Sequence, residues 1–241
     1  MLNNSLFDHK TNNGKDEKLL LLKKARLFQN FTDDELLLLL ENSDYYLKEC
    51  KKGTELYPPD SAISHAGIIL SGEVDVLHIS VTGDEEIVGR NTDGDIVGPA
   101  FCITGMTNNL SHYRVIRNSK ILFLNINSLL LNPVNKSYYT KFVTNITTIL
   151  ARNNIILNRK IQLLTQKSLR KKLLTYFIQL SKERDNKAFT LSFTREQLAQ
   201  YVCSERSSVC RELGKMQDDG LIKVDGNMIT LSSQGRAFYL Q

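Results

Sequence analysis

The sequence predicts an α+β chain in three parts: a helical lead running into a small antiparallel β-roll, one long helix, and a compact terminal domain of short helices closed by a hairpin. Three observations carry this. The hydrophobic period switches from helical to short β-rich runs near Tyr45 and back to helical near Lys136. The helical pattern from Lys136 to about Leu164 is longer than an ordinary globular helix. Beyond Ser168, helix caps and Gly-containing turns follow one another at short spacing.

The expected boundaries are a polar tail over residues 1–18, a helical lead and roll over 19–135, a long helix over 136–166, and the terminal domain over 167–241. In the lead, "DEKLLLLKKARLFQNFTDDELLLLLENS" is helical in content and punctuated at Thr32. Thr32 and Glu35 have capping-box spacing, and Asp33 and Asp34 favour a helix N-terminus, so a helix should begin at about Asp33.

From Tyr45 to about Leu130 short runs rich in β-formers are separated by turns, as in "AGIILSGEVDVLHIS", "VTGDEEIVGR" and "HYRVIRNSKILFLNI". The turn "VTGDEE" suits a hairpin. Strands this short with Gly at the corners imply a small antiparallel barrel or roll.

In the long helix, Phe142, Ile146, Ile149, Ile156 and Leu163 fall on a heptad-like seam shared by Asn153 and Lys160. A single Asn in such a seam can fix the register of two helices. The seam predicts a dimerisation helix, with Phe142, Ile146, Ile149, Asn153 and Ile156 at the interface. Packing within its own chain is the alternative.

The terminal segment begins with "SLRKKLLTYFIQLSKER", an amphipathic helix with Leu169, Leu173, Phe177 and Leu180 on one face. Thr194 and Gln197 have capping-box spacing before "REQLAQYV", and Ser204 is an apparent N-cap for a further helix with Glu205 in its first turn. Two short helices meeting around Cys203 and Ser204 have the spacing of a helix-turn-helix. On the second, Val209, Leu213 and Met216 make an apolar stripe to pack on Leu198, Ala199 and Val202. Its opposite face presents Ser207, Arg211 and Lys215, flanked by Ser208 and Cys210, with Arg206 at the N-terminal end. The runs "LIKV" and "MITL" about the turn "DGN" then make a hairpin, which completes a winged helix-turn-helix.

The charge balance agrees. Residues 1–135 carry 13 Lys and Arg against 18 Asp and Glu, a balance of −5, whereas residues 136–241 carry 18 against 8, a balance of +10. A basic half of this kind suits a polyanion, because neutralised phosphates release counterions. Arg can donate two hydrogen bonds to a guanine edge, while Lys and hydroxyls suit base edges or phosphates.

Other classes find no support. Four dispersed cysteines in a chain large enough to form a core read as reduced cytoplasmic thiols. No Cys or His pair has zinc-site spacing, and no leucine run approaches the ~20 apolar residues of a membrane span. No nucleophile, base and orienting group cluster, and no phosphate loop appears, so an enzyme is not expected. Neither a metal nor a cofactor is expected.

The run "FTREQLAQYVCSERSSVCRELGKMQDDGLIKVDGNMITL" resembles the DNA-binding domain of the Crp/Fnr family of bacterial transcription regulators. "LFQNFTDDELLLLL" resembles the family's helical lead, "AGIILSGEVDVLHISVTGDEEIV" and "TDGDIVG" its cyclic-nucleotide-binding-like β-roll, and residues 136–164 its dimer helix. The resemblance covers about residues 25–235. It implies a homodimer on double-stranded DNA, bound at a near-palindromic site of two half-sites, and an activator that recruits RNA polymerase. It also implies DNA contacts from Thr194, Arg195, Ser204, Arg206, Ser207, Ser208, Arg211, Lys215 and Lys223. Arg206 and Arg211 match the two arginines typical of the family's recognition helix. Ser207 stands where well-known members have a Glu that reads cytosine, so a different operator is expected.

The same resemblance places a small-molecule effector pocket around Gly94, Gly98, Pro99, Ala100 and Arg114. Cyclic-nucleotide-binding relatives carry Gly-Glu and, about ten residues later, Arg-Ser or Arg-Thr. Here Pro99 replaces the Glu, Asn108 to Ser111 supply no Arg, and Arg114 is out of position. The expected signal is therefore something other than a cyclic nucleotide, or the protein's own abundance. The tail before residue 50 has no cysteine for an iron-sulfur cluster. A thiol-based redox sensor using Cys203, Cys210 or Cys102 is the competing possibility.

Overall fold

The computed structural model describes residues 19–58, 60–80, 83–108, 111–131, 136–183 and 186–238. The polar tail of residues 1–18, positions 81 and 82 of the "VTGDEE" turn, and positions 109 and 110 lie outside these. The chain divides into two compact units, Met1–Asp84 with Gly89–Asn154, and Glu85–Val88 with Ile155–Gln241. The long helix thus contributes its first 19 residues to the first unit and its last 10 to the second.

In the first unit, helix α1 (19–24) leads through a single 3-10 turn, Arg26–Phe28, to α2 (Asp33–Glu41). Thr32 caps α2 as the sequence indicates: its Oγ1 accepts from the Glu35 amide at 3.2 Å, and the Glu35 carboxylate accepts from the Thr32 amide at 2.9 Å. The roll then runs β1 (Tyr45–Cys50), β2 (Ser61–Ala62), β3 (Ala66–Ile79), β4 (Glu85–Thr92), β5 (Ile96–Val97), α3 (Pro99–Thr104), β6 (Thr107–Asn108), β7 (His112–Leu124) and α4 (Ile126–Leu131). One sheet has the order β1-β7-β3-β4 with β5 on β3, and β2 pairs with β6 in a small second sheet.

The long strand β3 is buried on both faces from Ala66 to Leu70, and its register with β7 shifts between Ile69 and Val74. Gly72 sits in that irregularity at φ +115°, where a Cβ would lie 2.0 Å from the Ser119 hydroxyl, so no other residue fits without moving β7. Further along β3, Asp75 is 3% exposed and accepts from Arg90 Nε at 2.7 Å and Nη2 at 2.9 Å. This bidentate pair offsets the desolvation of both charges.

Two short helices, α3 and α4, which the sequence reading did not separate out, stand among the β-rich runs expected to about Leu130. Gly98, in the left-handed region at φ 71°, precedes Pro99 at the first turn of α3. Asn125 Oδ1 accepts from the Ser128 amide at 3.0 Å, a local contact that turns the chain into α4.

Helix α5 (Lys136–Leu164) is the long helix. In the first unit its Tyr138, Phe142, Ile146 and Ile149 are buried in one cluster with Leu27, Phe28, Leu36 and Leu39. Asn145 Nδ2 donates to the carbonyls of Leu27 and Gln29, both at 2.9 Å, and Lys141 pairs with Glu35 at 2.6 Å.

The second unit contains α6 (Leu169–Glu183), β8 (Ala188–Thr190), α7 (Arg195–Tyr201), α8 (Arg206–Asp218), β9 (Ile222–Asp225), β10 (Met228–Leu231) and α9 (Ser233–Phe238). The strands form an antiparallel sheet in the order β8-β10-β9. Leu173, Leu174, Phe177, Phe189, Leu198, Val202, Val209, Leu213, Met216 and Ile229 are its core. Of the face expected from its spacing, helix α6 buries Leu173 and Phe177 while Leu169 and Leu180 are half-buried, and it buries Leu174, Tyr176 and Ile178 besides. Among the described residues no helix is long and apolar enough to cross a membrane.

Candidate nucleic-acid interface

The interface is built on α7 and α8. Thr194 Oγ1 accepts from the Gln197 amide at 3.2 Å, and the Gln197 side chain accepts from the Thr194 amide at 3.1 Å, so the capping box fixes where α7 begins. After Tyr201 the chain turns sharply. Cys203 takes φ +52°, a conformation usually given to Gly, and the Ser204 amide donates to the Ala199 carbonyl at 3.0 Å. That turn displaces Ser204 from the capping position expected for it. The N-cap of α8 is Glu205, with no side-chain cap bond, and the helix begins at Arg206.

Helix α8 buries Val209, Leu213 and Met216, the stripe anticipated from spacing. Its outward face leaves Arg206, Ser207, Arg211 and Lys215 exposed, with Cys210 exposed and Ser208 half-buried at the margins. Arg206 lies 4.0 Å from the exposed Glu196, a weak pairing that a phosphate or base can displace. Neither Arg211 nor Lys215 has an ion-pair partner among the described residues. Gly220 at φ 69° follows the helix end, and β9 and β10 close as a wing with Lys223 exposed on β9.

Arg195, expected to contact DNA, stands at the start of α7. Its Nη2 donates to the Gly226 carbonyl at 2.6 Å, tying the start of α7 to the wing turn, and Nη1 is buried without a protein partner. It lines an open depression of about 270 Å³ with Cys210, Leu213, Gly214, Gln217 and Val224. Arg195 therefore ties the wing turn to the start of α7.

Sequence reasoning missed two interactions in this unit. Arg170, at the start of α6, donates from Nε to Glu212 and from Nη1 to Asp219, each at 2.6 Å, and so grips α8 at two points. Lys160 is 7% exposed, donates to the Ile87 carbonyl at 3.0 Å and to the Tyr201 carbonyl, and lies over the Tyr201 ring. Desolvation pulls its pKa down to about 8, against opposing attraction from Cys203 and Glu86. The seam marks Lys160 as inward-facing, but no periodic signal names the partners of either residue.

Burial also pushes the Cys203 thiol up, with Lys160 working in the opposite direction. A raised thiol holds less thiolate, which lowers its reactivity. Cys102 is buried, with its thiol 3.1 Å from the Ser64 carbonyl, and Cys210 is exposed. All three are free, as is the buried Cys50. No group of three or more His, Cys, Asp or Glu suited to a metal ion occurs among the described residues.

Of the residues expected at an effector pocket, Gly98, Pro99 and Ala100 open α3, and Gly94 forms the turn before β5, where its amide donates to the Ile69 carbonyl at 2.7 Å. Arg114 is on β7 with its guanidinium 3.9 Å from Glu55. Next to Gly98 stands the buried Tyr57, whose hydroxyl donates to the His65 carbonyl at 3.0 Å and whose ring meets Tyr113 and Phe123 edge-on.

Of the seam expected at a dimer interface, Phe142, Ile146 and Ile149 are buried in the first unit's core. Asn153 is half-buried and Ile156 is 48% exposed.

Known proteins agree with this geometry. Residues 171–234 match the Crp-like helix-turn-helix domain. Electron transport regulator A of Shewanella oneidensis is 23% identical over 189 residues, spanning 76% of this chain and 74% of its own. The fumarate and nitrate reduction regulatory protein of Salmonella typhi is 25% identical over 203 residues, spanning 80% and 78%. A variant of CooA from Carboxydothermus hydrogenoformans shares the fold with a TM-score of 0.67 at 17% identity, covering 84% of this chain and 89% of that one. Both the Shewanella and the Salmonella relatives are named as regulators. The matched domain and the likeness along the rest of the chain make this protein similar to transcription regulators of the Crp/Fnr family, with a Crp-like helix-turn-helix domain over residues 171–234.

Proposed function

We propose that the protein acts as a homodimer on a near-palindromic DNA site, laying one α8 in the major groove of each half-site and activating transcription through RNA polymerase. The observation that carries the reading is the outward face of α8, where Arg206, Ser207, Arg211 and Lys215 stand exposed beside a wing bearing Lys223. Arg206 and Arg211 are the base-edge readers, Ser207 and Ser208 adjust the choice, and Lys215, Lys223 and Thr194 meet the phosphates. The dimer is supported by α5, which exposes Ile155, Ile156, Leu157 and Ile161 within seven residues, each about half accessible. Apolar side chains so closely grouped on a helix favour a partner helix. Two-fold symmetry then sets the half-sites about 34 Å apart, one turn of the duplex.

The signal is a small molecule other than a cyclic nucleotide, or the amount of protein itself. Pro99 offers no carboxylate to a ribose, and Arg114 faces Glu55. The test is a fluorescence titration of wild type, Arg206→Ala and Lys215→Ala with a duplex selected from random sequence. Arg206→Ala should abolish discrimination between selected and random duplex, while Lys215→Ala should weaken both and lower the salt slope by about one. Equal salt slopes and an unchanged sequence preference in the two variants would refute it.

A further inference from the structure

Helix α8 carries its readers beside a liability. Glu212 directly follows Arg211, and Asp219 lies seven residues beyond Glu212, so both carboxylates flank the exposed face on the side of Ser208 and Lys215. Carboxylates so placed repel DNA phosphates and compete for the readers themselves. Arg170, from a different helix, meets both at 2.6 Å. Its side chain is 26% exposed and that of Glu212 18%, so the bond to Glu212 is shielded from solvent and salt more than an ordinary surface pair, while Asp219, 52% exposed, is not. The planar guanidinium spans the two acids from separate nitrogens, which a lysine cannot do.

We propose that Arg170 is a positioning and charge-masking residue for DNA recognition, acting through Glu212 and Asp219 and not by touching DNA. It neutralises one of the two negative charges beside the readers and fixes the rotation of α8 about its axis. The proposal rests on α8 being the DNA-reading helix. Two features separate it from a purely structural clamp. Removing Arg170 should do harm chiefly because the acids remain, and removing the acids should make Arg170 dispensable.

The experiment uses the full-length protein and one duplex selected from random sequence. Arg170→Gln should lower affinity about tenfold, as expected for unmasking a carboxylate within screening distance of phosphates. Arg170→Lys, which keeps the charge and loses the fork, should fall between it and wild type. The triple variant Arg170→Gln, Glu212→Gln, Asp219→Asn should recover to within about threefold of wild type. The double variant Glu212→Gln, Asp219→Asn should bind as tightly as wild type or tighter, a readout that stands even where Arg170→Gln fails to fold. Arg170→Gln at wild-type affinity, a triple variant as weak as Arg170→Gln, or a double variant weaker than wild type would each overturn the proposal. Arg211→Ala serves as the control: if it too binds like wild type, the failure belongs to the assignment of α8 as the reading helix.

Discussion

The Lys160 ammonium nitrogen stands 3.5 Å from the centre of the Tyr201 ring, in a site 7% exposed to solvent. The ring face and the carbonyls of Ile87 and Tyr201 all favour the charged form, yet desolvation wins and lowers the pKa from 10.5 to about 8. Below pH 8 both folded and unfolded chains keep the proton, and the full cost of burying the charge is present. Between pH 8 and about 10 the unfolded chain holds a proton that the folded one has released, so stability should rise with pH, by no more than about 3 kcal/mol.

Above pH 10 the sign reverses. Burial raises Tyr113 and Tyr201 to about 12, so their folded forms keep protons that the unfolded chain loses, and stability falls as pH climbs from 10 toward 12. Urea midpoints at pH 7, 8, 9 and 10 should therefore climb in wild type. In Lys160→Met the climb should vanish while the later fall remains, and a climb of equal size in the variant would mean that Lys160 is not its source.

Cys203 makes the turn between α7 and α8 at φ +52°. Cys203→Gly removes the side-chain strain of that conformation, whereas Cys203→Val adds a β-branch to it. The glycine variant should be more stable than the valine variant by about 1–2 kcal/mol in chemical denaturation. Equal stabilities would place the turn in a different conformation in solution.

Arg195 bonds the wing turn at Gly226. Arg195→Met should loosen the wing and weaken binding to selected and random duplexes alike, by about three- to tenfold, because Lys223 then loses its fixed placement and phosphate contacts carry no sequence information. A loss confined to the selected duplex would make Arg195 a base reader instead.

Leu157 and Ile161 lie four residues apart and are 50% and 58% exposed. Leu157→Glu with Ile161→Glu should give monomers in sedimentation at micromolar concentration and a large loss of DNA affinity, since one half-site holds far less tightly than two. A monomeric wild type at that concentration would remove the dimer from the proposal.

Much of the fold is legible because its signals are local. Thr32 with Glu35 and Thr194 with Gln197 announce their helices three residues ahead, and both boxes form. The stripe of Val209, Leu213 and Met216 fixes by periodicity which side of α8 faces outward. Phe142 and Ile146 show the limit of the same reasoning: the spacing marks them as apolar contacts without saying whose core they join, and they join their own. Ser204 and Glu205 differ by one residue in capping role because the left-handed Cys203 redirects the chain before the helix starts. Arg170 and Lys160 were illegible for another reason. Their partners are tens of residues away, Glu212 at 42 and Tyr201 at 41, and only tertiary structure brings them together.

The most direct measurement is selection of bound duplexes from a random pool by wild type and by Arg206→Ala, followed by sequencing. Wild type should enrich a near-palindrome of two half-sites one helical turn apart, and Arg206→Ala should lose preference at a symmetric base pair in each half. No enrichment by wild type, or the same enriched sequence from both proteins, would contradict sequence reading by Arg206 on α8.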